Sequence, residues 1–213
     1  ELAETVAFQE KYTRILLQAP SQKTVFPPSL SQYLLFVIKT MPRSPDSLYH
    51  AIASALEPNL YRACTTPREQ ENLVISLRKL VAKTLLRKLS PELPSIEYPV
   101  ENLEEYAKYV EKTDSPAGPV ELLAFAQNYE VEFLVFDINK KTLIPTVYPA
   151  HCDYKARVYL LTDSKTNYYE LIIGLKKKGM KHDEEIAIFS YDDTTAYKQV
   201  LLAIEYRQEN RDF

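Results

Sequence analysis

Glycine is almost absent from this 213-residue chain, with 3 Gly against 14 Pro, so proline has to supply most of the chain reversals. Pro fixes φ and carries no backbone N–H, and it therefore interrupts helices and sheet ladders alike. The clusters Phe26-Pro27-Pro28, Pro42 to Pro45, Pro91 to Pro99 and Pro116 to Pro119 cut the chain into pieces of helix or strand length. A fold assembled from such pieces consists of many short elements. Their hydrophobic periods decide which are helices.

Helical spacing dominates up to about residue 130. Residues 2–18 read as a helix with Val6, Tyr12, Ile15 and Leu16 on one side, and residues 29–40 as a second with Leu34, Leu35 and Ile38. A third starts at Ser47 and runs to about Leu56, stopped by Pro58. The clearest runs from Pro67 to Leu89, with Thr66 as cap and Leu73, Leu77, Leu80, Val81 and Thr84 as its inner stripe. Arg78, Lys79, Lys83 and Arg87 are expected on its solvated side. Glu101 to Lys112 and residues 119–129 complete the helical half.

Strand patterns follow. Val131 to Asp137 combines alternation with an apolar run, as a central strand does. Leu143 to Tyr148 is weaker. Arg157 to Thr162 and Tyr168 to Ile173 flank the polar run Asp163 to Asn167 and read as an antiparallel hairpin. Ile186 to Tyr191 is a short strand and Thr194 to Glu209 a closing amphipathic helix. The layout is α+β in one domain spanning residues 1–213.

Composition removes several function classes. A net charge of −3 gives no footprint for nucleic acid or an anionic membrane, and no apolar run has the length of a membrane span. Two distant Cys and three His match no zinc spacing, so neither metal nor cofactor is expected. Unpatterned Cys fit a reducing, intracellular compartment, the cytoplasm first among them. The 16 Tyr read as core residues whose hydroxyls reach outward.

The segment with chemical content is Pro45-Asp46-Ser47-Leu48-Tyr49-His50-Ala51. Ser before an apolar-periodic run is a common helix N-cap. A nucleophile at a helix start also has unpaired N–H groups and the positive dipole end beside it. His50, His151 and His182 are the available imidazoles. His50 shares the helix of Ser47, His151 adjoins Cys152 in a loop segment, and His182 lies in a charged turn. A base drawn from this set, or a serine hydrolase built on Ser47, are therefore lesser readings.

Three segments together resemble the ovarian tumour (OTU) family of cysteine-protease deubiquitinases. Ser47-Leu48-Tyr49-His50-Ala51 resembles its active-site helix start, Asp-Gly-Asn-Cys-(Leu/Phe)-(Tyr/Phe)-(His/Arg)-Ala. Ala117-Gly118-Pro119-Val120-Glu121-Leu122-Leu123-Ala124 resembles its Trp-Gly-Gly-x-x-Glu-Leu-x-Ala segment. Asn167-Tyr168-Tyr169-Glu170-Leu171-Ile172 resembles its Asn-His-Tyr-(Asp/Asn) strand. The match covers about residues 30–175, with residues 176–213 as an extension.

The resemblance implies a papain-like, OTU-like fold: a mostly antiparallel central sheet of about five strands packed between helical lobes. It places Ser47 at the nucleophile position, Tyr168 at the general-base position and Glu170 at the orienting position. It also implies Asp46, Gly118, Glu121, Asn167 and Tyr169 as partner-binding positions. A hydroxyl in place of a thiol and a phenol in place of an imidazole leave thiol chemistry without its two reacting groups. Arg43-Ser44-Pro45-Asp46 also lacks the Gly of the family's loop. The expectation is a catalytically degenerate domain that binds ubiquitin, a ubiquitin-like protein or subunits of a larger complex. The alternative is an active deubiquitinase in which Ser47 stands for a replaced cysteine.

Overall fold

A computed structural model describes residues 25–87, 102–176 and 185–210. The expected helix over residues 2–18, His182 and most of the charged connection after Lys176 lie outside them. Six helices and seven strands are described, as α1 (Ser47–Leu56), α2 (Pro58–Ala63), α3 (Pro67–Leu86), α4 (Leu103–Val110), α5 (Pro119–Tyr129), α6 (Thr194–Glu209), β1 (Leu34–Lys39), β2 (Val131–Asp137), β3 (Thr146–Tyr148), β4 (Ala156–Asp163), β5 (Tyr168–Lys176), β6 (Glu185–Ile186) and β7 (Phe189–Ser190). A 3-10 helix, Pro28–Tyr33, leads into β1.

The sheet is mixed, in the order β1-β5-β4-β2-β3, with β6 added to β5 and β7 to β4. All its pairings are antiparallel except β2 with β4. The expected hairpin is β4–β5, pairing Asp163 with Tyr168 and Thr162 with Tyr169. Asn167 closes its turn at φ 53°, a left-handed conformation that Asn tolerates better than most residues.

Residues 29–40 overturn the expected second helix. Leu34 to Ile38 is a continuous apolar run, and such a run satisfies helical spacing and a buried strand equally. Pairing with β5 decides it, with Phe36 opposite Gly174 and Ile38 opposite Ile172. A Cβ at Gly174 would sit 2.7 Å from Leu34 Cδ1, so a larger residue there would push the buried Leu34 side chain aside. Pro58 stops α1 as expected, but it also opens α2 from a first-turn position, where its missing N–H costs nothing.

Two apolar clusters cover the two faces of the sheet. On one face α1 lies on β5 and α5 on β2, with α3 packed outside them. Leu48, Ile52, Phe125, Phe133, Val158 and Leu171 are fully buried in this layer. On the other face α6 packs Ala196, Val200 and Ile204 against Phe36, Phe136, Tyr159 and Ile172. Helix starts carry caps: Thr66 and Glu69 form a reciprocal capping box on α3, and Asn102 and Asp193 accept from backbone N–H groups of α4 and α6. Among the described residues no helix is long and apolar enough to cross a membrane. Tyr49, Tyr106, Tyr129, Tyr159 and Tyr169 are core residues, but the Tyr49 and Tyr159 hydroxyls are buried instead of reaching outward, and Tyr33, Tyr191 and Tyr206 are exposed.

Candidate functional site

β1 pairs with β5 only as far as Lys39 opposite Leu171. Beyond that point the chain turns away through Met41 to Asp46 and enters α1. β5 then needs another partner for the N–H of Tyr169, and the hydroxyl of Ser47 accepts it at 3.0 Å. Ser47 is the first residue of α1 and has no solvent exposure. Its oxygen therefore stands in for a strand carbonyl, and the N-cap position belongs to Asp46. The helix start and the start of β5 are thus in direct contact, which brings positions 47, 168 and 169 together.

Tyr168 is held by the same loop from the other side. Its hydroxyl accepts from the Met41 N–H at 2.8 Å and donates to the Met41 carbonyl. The Arg43 guanidinium lies 5.6 Å from the centre of its ring. Burial pushes the phenol above its ordinary value, so it stays neutral near pH 7.

Glu170 sits two residues further along β5, and its carboxylate turns to α6. Its Oε1 lies 3.5 Å from Arg207 without a hydrogen bond, and burial raises its carboxyl above the usual range. The Ser47 hydroxyl, the Tyr168 phenol and the Glu170 carboxylate therefore each have a different partner: the Tyr169 N–H, the Met41 backbone and Arg207.

The loop before α1 is fixed by a residue that the sequence reading placed in solvent. Arg78 of α3 is fully buried. Its guanidinium donates to the Asp46 carboxylate, to the Val110 carbonyl at 2.9 Å, and to the Ser115 hydroxyl and carbonyl at 2.7 and 2.8 Å. It also stacks 4.4 Å over the ring of Tyr49. One planar cation thus joins the start of α1, the end of α4 and the loop before α5. Residue type alone put Arg78 on the outer side. Its spacing from Val74, Val81 and Leu85 (i−4, i+3 and i+7) was the signal that it lies on the inner face. Lys83 and Arg87 are exposed as expected.

Glu121 is also buried, at 1% exposure, and so is Tyr169. Glu121 accepts from the Gly118 N–H at 2.7 Å and from the Tyr106 hydroxyl at 2.6 Å, which fixes the start of α5 against α4. Burial raises its carboxyl, and those two donors oppose the shift. Both side chains, expected at a partner-binding surface, face the interior. Asp46 and Gly118 are partly exposed and Asn167 is exposed.

Above Tyr168 a cleft of about 480 Å³ opens between the Arg43–Pro45 loop, Asp114 and Pro116 before α5, and the β4–β5 turn. Its lining includes two carboxylates, Asp114 and Asp163, and one cation, Arg43. The Asn139 amide, hydrogen-bonded to Asp163, holds that carboxyl below its usual value. His50 lies elsewhere, buried in α1 with its Nδ1 3.2 Å from the Tyr61 hydroxyl, and desolvation lowers its pKa. His151 and Cys152 are exposed neighbours in a loop. Among the described residues no group of three or more His, Cys, Asp or Glu side chains is placed to hold a metal.

The fold has counterparts among solved structures. An ovarian tumour (OTU) domain solved in complex with ubiquitin aligns over 82% of this chain and 86% of its own length, with 17% identity and a TM-score of 0.57. The fold is OTU-like. The OTU domain of OTUD1 aligns over 64% of this chain and 85% of its own, with 17% identity and a TM-score of 0.46. The Hazara virus OTU bound to ubiquitin aligns over 68% and 84%, with 16% identity and a TM-score of 0.46. No protein-family model and no curated protein matches the sequence. The OTU-like chain is thus assigned by its fold, and its chemistry has to be argued from its own residues.

Proposed function

We propose that this OTU-like domain binds ubiquitin or a ubiquitin-like protein through the cleft above Tyr168, free or within a larger complex, and does not cleave it. The observation that carries the reading is the state of Ser47. Its oxygen is out of solvent and already accepts the Tyr169 N–H, so a substrate carbonyl could reach it only if the start of α1 and β5 moved apart. A serine hydroxyl also needs an adjacent base, and the neighbouring phenol is neutral and committed to Met41. The cleft of about 480 Å³ has room for a short segment of a partner, and the carboxylates of Asp114 and Asp163 favour a basic one.

Titrating the ¹⁵N-labelled chain with ubiquitin tests this. Resonances of Arg43, Asp114 and residues 163–168 are expected to shift together. Asp114→Lys, at an exposed position, is expected to weaken binding about tenfold by reversing one of the two lining charges. Cleavage of ubiquitin chains by the unaltered protein, abolished in Ser47→Ala, would overturn the non-catalytic reading. So would rapid adduct formation between Ser47→Cys and a thiol-reactive ubiquitin probe, which would favour a deubiquitinase lacking only its thiol.

A further inference from the structure

Arg43 is the cation of the cleft above Tyr168, which also carries the carboxylates of Asp114 and Asp163. An exposed arginine ordinarily needs no explanation. This one is held in place. Its loop contains Pro42 and Pro45 and is cross-braced: the Ser44 N–H donates to the Pro42 carbonyl at 3.0 Å, the Ser44 hydroxyl accepts from the Asp46 N–H at 3.2 Å, and the Ser44 carbonyl accepts from the Ser47 N–H at 3.1 Å. The Tyr168 phenol, tied to both the N–H and the carbonyl of Met41, presents its ring 5.6 Å from the guanidinium. Arg43 makes no hydrogen bond or ion pair among the described residues, although two carboxylates line the same cleft. The buried Glu170 carboxyl feels its charge, but the ion pair of Glu170 is with Arg207. Asp163 is fixed in the β4–β5 turn by the Asn139 amide at 2.7 Å and the Lys165 N–H at 3.0 Å. The two signs of charge are thus kept on separate segments of the cleft.

Resting on the binding reading above, we infer that Arg43 is a carboxylate receptor, and that the partner segment taken by the cleft carries a carboxylate beside its basic group. A wholly basic segment would answer Asp114 and Asp163 but meet repulsion at Arg43. A segment with both charges answers all three. A guanidinium takes a carboxylate through two parallel N–H···O bonds, a geometry that an ammonium cannot supply. The Tyr168 ring attracts the cation through its π face and uses none of its N–H groups, so the fork stays open for that pairing. A braced loop and a ring fixed by two bonds to Met41 also leave little ordering to be done when the ligand arrives. The phenol at the general-base position thereby serves as the support of a cation. Two sources can supply the carboxylate: an Asp or Glu side chain of the partner, or the α-carboxylate of its chain end.

Titrating the ¹⁵N-labelled wild type, Arg43→Ala and Arg43→Lys with two probes tests this: ubiquitin with its free C-terminal carboxylate, and ubiquitin bearing a C-terminal carboxamide. Arg43→Ala is expected to weaken binding of the free acid about tenfold, and Arg43→Lys to recover only part of the loss. If the chain end is the source, the carboxamide binds wild type about tenfold more weakly than the free acid, and Arg43→Ala lowers its affinity no further. If a side chain is the source, both probes bind wild type alike and both lose about tenfold in Arg43→Ala. In either case the deficit of Arg43→Ala shrinks at about 1 M salt, which a merely structural role of Arg43 would not produce. Arg43→Ala binding both probes as tightly as wild type, or more tightly, would overturn the carboxylate assignment and leave the binding reading standing. Cleft resonances of wild type that respond to neither probe would remove both.

Discussion

The two faces of the sheet are held by different forces. On the cleft side the apolar layer of α1 and α5 is crossed by buried polar groups, each with named partners: Arg78 with Asp46, Val110 and Ser115; Glu121 with Gly118 and Tyr106; Ser47 with Tyr169. On the α6 side the cluster of Phe36, Phe136, Tyr159, Ile172, Val200 and Ile204 is apolar; buried polar groups there are Ser31 and Asp193, hydrogen-bonded at the start of α6, and Glu170, which has an ion pair without a hydrogen bond. Apolar burial is non-directional and tolerates small displacements. Buried polar groups do not, because each lost partner leaves a desolvated group behind. The cleft is therefore built where geometry is over-determined, and the α6 face is where packing has more latitude.

That contrast predicts the ranking of substitutions. Arg78→Ala should be the most damaging, at about 3–5 kcal/mol in urea unfolding, because it removes the ion-pair partner of the Asp46 carboxylate and leaves the buried carbonyls of Val110 and Ser115 without their donor. Arg78→Lys should recover little of this, since a point charge cannot reproduce the fork of donors. Ile204→Ala on the α6 face should follow at about 2–4 kcal/mol, from lost transfer energy plus a cavity. If Ile204→Ala proved costlier than Arg78→Ala, the distinction between the two faces would break.

Ser47→Ala comes next. It leaves the buried Tyr169 N–H without an acceptor, so a loss of about 1–3 kcal/mol is expected, together with faster exchange of that amide. Ser47→Cys should fall between wild type and Ala, because sulfur accepts weakly. A neutral Ser47→Ala would mean that the loop is pinned by Arg78 and Tyr168 alone.

Where local pattern and tertiary packing agreed, the sequence was easy to read. α1, α5, β2, the β4–β5 hairpin and α6 all carry a clean period bounded by Pro or by polar turns. β1 was misread because Leu34 to Ile38 fits two periods, and only its pairing with β5 chooses between them. Arg78 was misread because a cation on a helix is ordinarily solvated, and the acceptors that bury it come from three separate segments of the chain. The meeting of positions 47, 168 and 169 followed from the order of three short motifs. Nothing local told that Ser47 would serve as a strand cap, since that depends on where β1 leaves the sheet.

The smallest expected effect separates two of the buried glutamates, Glu170 and Glu121. Burial raises the Glu170 carboxyl, so between its ordinary value of 4.5 and its folded-state value the native protein holds a proton that the unfolded chain has released. Stability from this group therefore falls as pH rises through that window and stays lower above it. Arg207 returns little, because its side chain is 42% exposed and the pair is screened by solvent. Gln does not titrate, so Glu170→Gln should match wild type near pH 4.5 and become the more stable protein at pH 7, by about 1 kcal/mol or less. Glu121→Gln should do the reverse at pH 7, because its amide NH₂ would confront one of two donors, the Gly118 N–H or the Tyr106 hydroxyl, that now meet carboxylate oxygens. Urea midpoints of both variants from pH 4.5 to 7 check this. Glu170→Gln destabilising at pH 7 would mean that the ion pair to Arg207 anchors α6 as firmly as Arg78 anchors the cleft.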